Sequence, residues 1–316
     1  MEFGILRQWI GLRGSLLSIG LGLALSCLGS CADRSPEKYI HQLRSMQKLE
    51  RTKAANELIR FDADEVVSRL IQEAGSGYIR VRFEVVNLLG RFKDVRAVPT
   101  LVGALDDKSP RVAAMAAWAL GQIRSPDALG ALLKYTRDPT VEVRQYVLGA
   151  LGPCHSHEAV PTLSDSAFHV ISRALQATNP KWRIAALQSL REYGYRGAAE
   201  QVIRMSRDPS DEVRHVAVQA LGQIGSGRHA PPEGIDPIAP VDERMRGNIY
   251  EALLVALDAD EVQSIRTKAV RALVQIGDVR AVPHLQRLLR EGSEKDRREA
   301  QRALDKLDPQ TAVAKS

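Results

Sequence analysis

The chain has 316 residues, with 44 Lys and Arg against 38 Asp and Glu, for a formal net charge of +6. Only 5% of residues are aromatic, while Ala, Leu, Val and Arg dominate, which suits thin helices packed through small and aliphatic side chains. Opposite charges are interleaved almost everywhere, so the mild basic excess is a solvated surface and lacks the dense Lys/Arg patterning of a dedicated nucleic-acid binder.

The first segment reads as a targeting signal. Arg7 and Arg13 form a positive region, and Ser15 to Gly29 is an uncharged, apolar-rich run. That run suits a signal core better than a membrane span, which needs about 20 residues. It ends in Leu28-Gly29-Ser30-Cys31, which resembles the lipobox of bacterial lipoproteins. The resemblance implies cleavage before Cys31 and diacylglycerol on its thiol. Residues 1–30 are then a signal peptide and residues 31–35 a short tether. Cys27 is a poorer candidate, because Ala24 rather than Leu stands three residues before it. Ala32 rather than Asp follows Cys31, a pattern similar to lipoproteins of the outer membrane, facing the periplasm. With Cys27 removed and Cys31 lipidated, Cys154 stands alone and no intrachain disulfide forms.

From there on the chain repeats itself. Copies of one twelve-residue segment start at Glu50, Val81, Val112, Val143, Trp182, Val213, Ile265 and Asp296. Five of the seven spacings between them are 31 residues. The ninth residue is always Leu: Leu58, Leu89, Leu120, Leu151, Leu190, Leu221, Leu273 and Leu304. The fifth is Ala or Val, from Ala54 to Ala300, and the twelfth is apolar, from Phe61 to Leu307. Positions five, nine and twelve share one face of a helix. Eleven residues before each copy stands another apolar column, from Tyr39 and Leu70 to Leu254 and Leu285, which belongs to a preceding helix. Each unit is therefore a helix pair, and stacked pairs bury what one pair leaves exposed. A glycine is expected to close the second helix at Gly90, Gly121, Gly152 and Gly222, or just after it at Gly194 and Gly277. The fold expected over residues 36–308 is all-α, a solenoid of about eight stacked pairs.

These units resemble HEAT repeats of the short kind also seen in phycobilisome-lyase-like proteins. The second residue of a copy is Arg82, Arg144, Arg183, Arg214 or Arg266, and six residues earlier come Asp138, Asp208 and Asp260. The resemblance implies that these side chains form a ladder between units. A guanidinium at the stacking edge can bridge a carboxylate and helix carbonyls. The third copy departs from the pattern with Ala113.

Two longer spacings mark insertions. One lengthens Pro153 to Ala177; the other adds an irregular Pro-rich loop at about 225–247. The tail 309–316 reads as frayed. In Cys154-His155-x-His157-Glu158 all four named residues are zinc-ligand types, yet Cys154 occupies the apolar twelfth column and reads as core. No phosphate loop, metalloprotease helix or nucleophile elbow occurs, so no catalytic residue, metal or cofactor is assigned.

In HEAT-like arrays the second helices line the concave side. Positions three, four and seven of the copies bring an apolar set forward: Phe83, Met115, Trp118, Tyr146 and Ile184. Such a patch marks a site for another protein or peptide. The expectation is a non-enzymatic, lipid-anchored adaptor in a bacterial cell envelope, tethering an envelope protein on its concave face. The alternative, by resemblance, is a phycobilin-lyase-like or other HEAT-repeat enzyme or chaperone subunit. Lipid anchoring weighs against it, because it separates the chain from cytoplasmic chromophore chemistry.

Overall fold

The computed structural model describes residues 35–155, 161–193, 196–227 and 241–307. Cys31 and its signal, His157 and Glu158, most of the Pro-rich insert and the tail lie outside the described residues. The architecture is an all-helical α-solenoid, and among the described residues there is no strand.

Among the described residues, eight helix pairs follow one another. They are α1 (Pro36–Gln42) with α2 (Lys48–Leu58), α3 (Ala63–Glu73) with α4 (Ile79–Phe92), α5 (Val98–Ala104) with α6 (Pro110–Ile123), and α7 (Leu129–Lys134) with α8 (Val141–Leu151). After these come α9 (Pro161–Ala174) with α10 (Pro180–Tyr193), α11 (Arg196–Met205) with α12 (Asp211–Gly225), α13 (Glu243–Ala259) with α14 (Gln263–Ile276), and α15 (Val282–Glu291) with α16 (Glu294–Leu307). Local chemistry starts them. Pro36 and Pro110 open their helices with a fixed φ and no amide to satisfy. Asp62 accepts from the Asp64 amide at 3.0 Å and Asp242 from the Met245 amide at 2.7 Å, capping α3 and α13. A hexapeptide, Asp-Val-Arg-Ala-Val-Pro, occurs at 94–99 and again at 278–283. In both places its Asp accepts from the Arg amide two residues on, at 2.9 Å, and a 3₁₀ turn leads into the first helix of a pair.

The chain divides into two compact units, residues 1–84 and 85–316, with the division inside α4. In the first unit, α1 packs on α2 and on α3. The Tyr39 ring meets Phe61 at 5.9 Å between centroids. Arg44 pairs with Glu73 at 3.0 Å, and Arg51 lies 3.9 Å from Glu84. In the second unit the helices form two rows. The second helices α6, α8, α10, α12, α14 and α16 each pack on the next, while α7 packs on α9 and α11 on α13.

Positions five and nine of the columns read from the sequence are the core, while Phe61, Phe92, Ile276 and Leu307 of position twelve are only half-buried. All eight Leu residues of position nine are buried, the most accessible being Leu304 at 6%. All eight residues of position five are buried as well. Each such Leu contributes about 2 kcal/mol of transfer free energy.

Three of the four glycines expected to close the second helices do something else. Gly90, Gly121 and Gly222 sit inside helices, and none has a positive φ. They are sites of close approach. A Cβ on Gly90 would stand 2.7 Å from the Cα of Ala119, and one on Gly222 would stand 2.7 Å from the Cβ of Ala272. Gly152 follows the last residue of α8, and a Cβ there would stand 2.6 Å from the Cα of Ser189. Each faces the Ala or Ser at position eight of the following copy, so small-on-small contacts set the helix spacing. Gly277 closes its helix in the left-handed region, at φ 79, and Gly194 lies outside the described residues.

The Arg column makes a regular set of bonds. The Nη1 of Arg51, Arg82, Arg183, Arg214 and Arg266 donates to the carbonyl six residues earlier at 2.8–3.0 Å, and Arg144 does the same to Asp138. The far side of three guanidiniums reaches the next unit. Arg183 is bidentate on Asp208 at 2.8 and 2.8 Å, Arg214 bidentate on Asp260 at 2.7 and 3.2 Å, and Arg266 donates to Asp296 at 3.0 Å. Each of these Asp side chains also binds backbone in its own turn, at the amides of Ser210, Val262 and Ser293. Arg144 breaks the series because Ala177 stands where the next Asp would be; its guanidinium lies 4.4 Å over the Trp182 ring. Asp138 accepts from the Thr140 amide at 2.8 Å, and Ala113 leaves it no ladder arginine from the preceding copy.

Candidate functional site

The second unit carries a groove of about 430 Å3 across α6, α8 and α10. It exists because position seven of the fourth copy is Gly149. The same position holds Trp118 before it and Gln188 after it, and a Cβ at Gly149 would have nothing within 4 Å. A missing side chain between two large ones leaves a hollow.

Its walls are mixed in chemistry. Trp118 and Tyr146 supply aromatic surface, with Trp118 half-buried and Tyr146 exposed. Gln122, Gln145 and Gln188 supply carboxamides. Lys93, Arg124 and Arg191 supply positive charge, and Glu192 the one carboxylate.

The charged end is tightly organised. Arg124 donates to Glu192 at 2.8 Å and Arg191 to the same carboxylate at 3.2 Å, with Glu192 almost wholly covered. Burial pushes the Glu192 carboxyl up, but the hydrogen bonds and charges of Arg124 and Arg191 outweigh it and hold it below the ordinary range. The Nε of Arg191 is buried and has no hydrogen-bond partner among the described residues. Lys93 and Arg124 share a further property. They are the two non-glycine residues with positive φ among the described ones, at 57 and 62 degrees. Both stand at position thirteen, where the fifth, sixth and seventh copies have Gly194, Gly225 and Gly277.

The five residues expected to form one apolar patch are divided. Trp118 and Tyr146 line this groove. Ile184 lines a separate hollow of about 340 Å3 with Asp211, Glu212 and His215, near the start of α12. Met115 is half-buried and lines neither, and Phe83, also half-buried, belongs to the first unit. The groove is aromatic and cationic rather than apolar. Lys93, Arg124, Arg191 and Glu192 were missed from sequence. Their signal was positional: a cation in a glycine column, and Arg191 at position ten, where four other copies have Gly.

Cys154 is fully buried, with its Sγ 3.4 Å from the Leu120 carbonyl oxygen, and burial pushes its thiol up to about 12. It is a small core side chain, unreactive at neutral pH. Among the described residues, no group of three or more His, Cys, Asp or Glu is placed to hold a metal ion.

Comparison with known proteins adds a family and a set of relatives. The model for HEAT repeats matches residues 36–112, 67–152, 98–168, 168–239 and 244–305. Deoxyhypusine hydroxylase of Mus musculus is 30% identical over 183 residues, which is 52% of this chain and 60% of that protein. The human deoxyhypusine hydroxylase is 39% identical over 67 residues, 21% of this chain and 22% of that protein. The chain thus spans less than two thirds of these relatives. Among solved structures, the E. coli protein YibA superposes with a TM-score of 0.53 at 20% identity, covering 86% of this chain and 91% of that one. The complex of CpcE and CpcF of phycocyanin lyase from Nostoc gives 0.50 at 20% identity, covering 87% and 94%. Both structures share the fold. The relatives' enzyme name overturns the expectation of a non-enzymatic chain.

Proposed function

The chain belongs to the HEAT-repeat family, and on that premise we propose that it is an enzyme, or a subunit of one, that holds a polypeptide substrate in the groove of α6, α8 and α10. The observation that carries the enzymatic reading is the 30% identity with a deoxyhypusine hydroxylase over half of this chain. The groove supports a polypeptide substrate, because its walls come from three successive units and repeat arrays present such extended surfaces to chains.

Hydroxylating a C–H bond needs a group that activates an oxidant. The described residues do not fit a bound metal, since no set of three or more donors converges. We therefore assign no hydroxylation step to them. Their part is to bind and orient: aromatic faces for apolar side chains, carboxamides and cations for polar ones.

A photoreactive residue at position 188 tests the reading. The polypeptide it captures should differ in mass between cells that contain this chain and cells that lack it. An identical mass in both would remove the enzymatic reading.

We also propose that Cys31 is lipidated and that the chain works at an envelope membrane. The support is the sequence Leu28-Gly29-Ser30-Cys31 behind an uncharged run. No helix of the described residues is long and apolar enough to cross a membrane.

A further inference from the structure

We propose that the groove of α6, α8 and α10 recognises an acidic segment of a polypeptide. The inference rests on the reading above for the polypeptide nature of the substrate and adds its chemistry.

Charge is the first ground. Lys93, Arg124 and Arg191 face a single carboxylate, Glu192, which leaves an excess of two positive charges (three minus one) on the lining. Arg124 and Arg191 share Glu192, while the Lys93 side chain has no hydrogen bond or ion pair among the described residues, so its capacity for an anion is not consumed within the fold.

Backbone conformation is the second. Lys93 and Arg124 hold left-handed φ values that disfavour any residue with a Cβ. Glycine fills the same position without strain at Gly277. Two strained cations lining one groove mark a functional site.

The third ground is the carboxamides. Gln122, Gln145 and Gln188 come from three successive second helices, and their side chains make no hydrogen bond among the described residues. A carboxamide carries a donor and an acceptor, as a peptide group does, so these three match an extended backbone. The missing side chain at Gly149 provides the room. A nucleic acid fits less well, because tracking a phosphate backbone takes a denser run of Lys and Arg than an excess of two.

Fluorescence polarisation of the full chain with a labelled, Glu-rich peptide containing one tyrosine tests this. Its Gln-for-Glu copy and a single-stranded oligodeoxynucleotide serve as competitors. The Glu-rich peptide should bind, and the Gln copy at least tenfold more weakly. Gly149→Gln, which fills the hollow, and Lys93→Gly, which removes a cation, should each weaken binding at least fivefold without loss of helical signal or melting temperature. Equal binding of the two peptides, unchanged binding by Gly149→Gln, or stronger binding of the oligonucleotide would overturn the proposal. No chemistry is needed for this readout. A mass change on the captured polypeptide together with failed peptide binding removes the acidic class and leaves the enzymatic reading.

Discussion

At Lys93 and Arg124, side chains of the right charge are held by backbone of the wrong kind. A residue with a Cβ in the left-handed region gives up about 1 kcal/mol relative to glycine. Lys93→Gly should therefore raise stability by about that amount in urea unfolding while it weakens the groove. Gly149 lies in the last turn of α8 with open space around it, so Gly149→Ala should also stabilise, by up to about 1 kcal/mol. Gly152 behaves oppositely. Its missing Cβ would meet the Ser189 backbone, and Gly152→Ala should cost about 2 kcal/mol, since the backbone must shift. The sequence carried both signals unequally. In the column of position seven it was Trp118 that drew notice, although Gly149 is its smallest member. Gly90, Gly121 and Gly222 looked like helix ends, because a glycine near the end of a periodic run has two physical causes. Conformational freedom and close approach leave the same letter, and only the neighbouring helix separates them.

Between one helix pair and the next, the Arg183–Asp208, Arg214–Asp260 and Arg266–Asp296 pairs join second helices through covered carboxylates. Removing one partner leaves a buried charge alone, so Asp208→Ala should cost about 3 kcal/mol in chemical denaturation. The pairs also set an acid limit. Burial pushes the Asp260 carboxyl up, but the Arg214 hydrogen bonds, the Val262 amide and nearby guanidinium charge outweigh it and hold it below 3.8. Asp296 lies below 3.8 for the same kind of reason, through Ser293 and Arg266. A depressed carboxylate stabilises fully above its unfolded value and loses that contribution as pH falls through its native one. Thermal unfolding should thus be insensitive to these groups near neutrality and fall steeply below pH 3.8, with a shallower fall in Asp260→Asn. The spacing of Arg and Asp pointed to Arg183–Asp208 and Arg214–Asp260, whereas Arg144 and Asp138, expected in the same ladder, form no bond between units, and Asp296 lies outside the six-residue register. The turn of Arg144 to Trp182 was not legible, because it depends on Ala177 leaving a guanidinium without a carboxylate.

For the whole molecule, the number of pairs and the core columns were readable because one register repeats eight times. The function was less so. A repeat array distributes its site over residues far apart in sequence, and the groove depends on a glycine in one copy and cations in three. The enzymatic proposal rests on the relatives and on no motif in the chain. The Cys31 proposal has its own check: intact-mass spectrometry of the membrane fraction should show a chain beginning at a diacylated Cys31, and a full-length chain with unmodified Cys31 would refute it. Whether this groove presents a polypeptide for modification is decided by reconstitution. The polypeptide captured from position 188, prepared from cells lacking the chain, is incubated with the purified chain and an extract of those same cells. Its mass should change with wild-type chain and stay constant with Gly149→Gln. A mass that stays constant with both, or changes equally with both, would rule out that role for the groove.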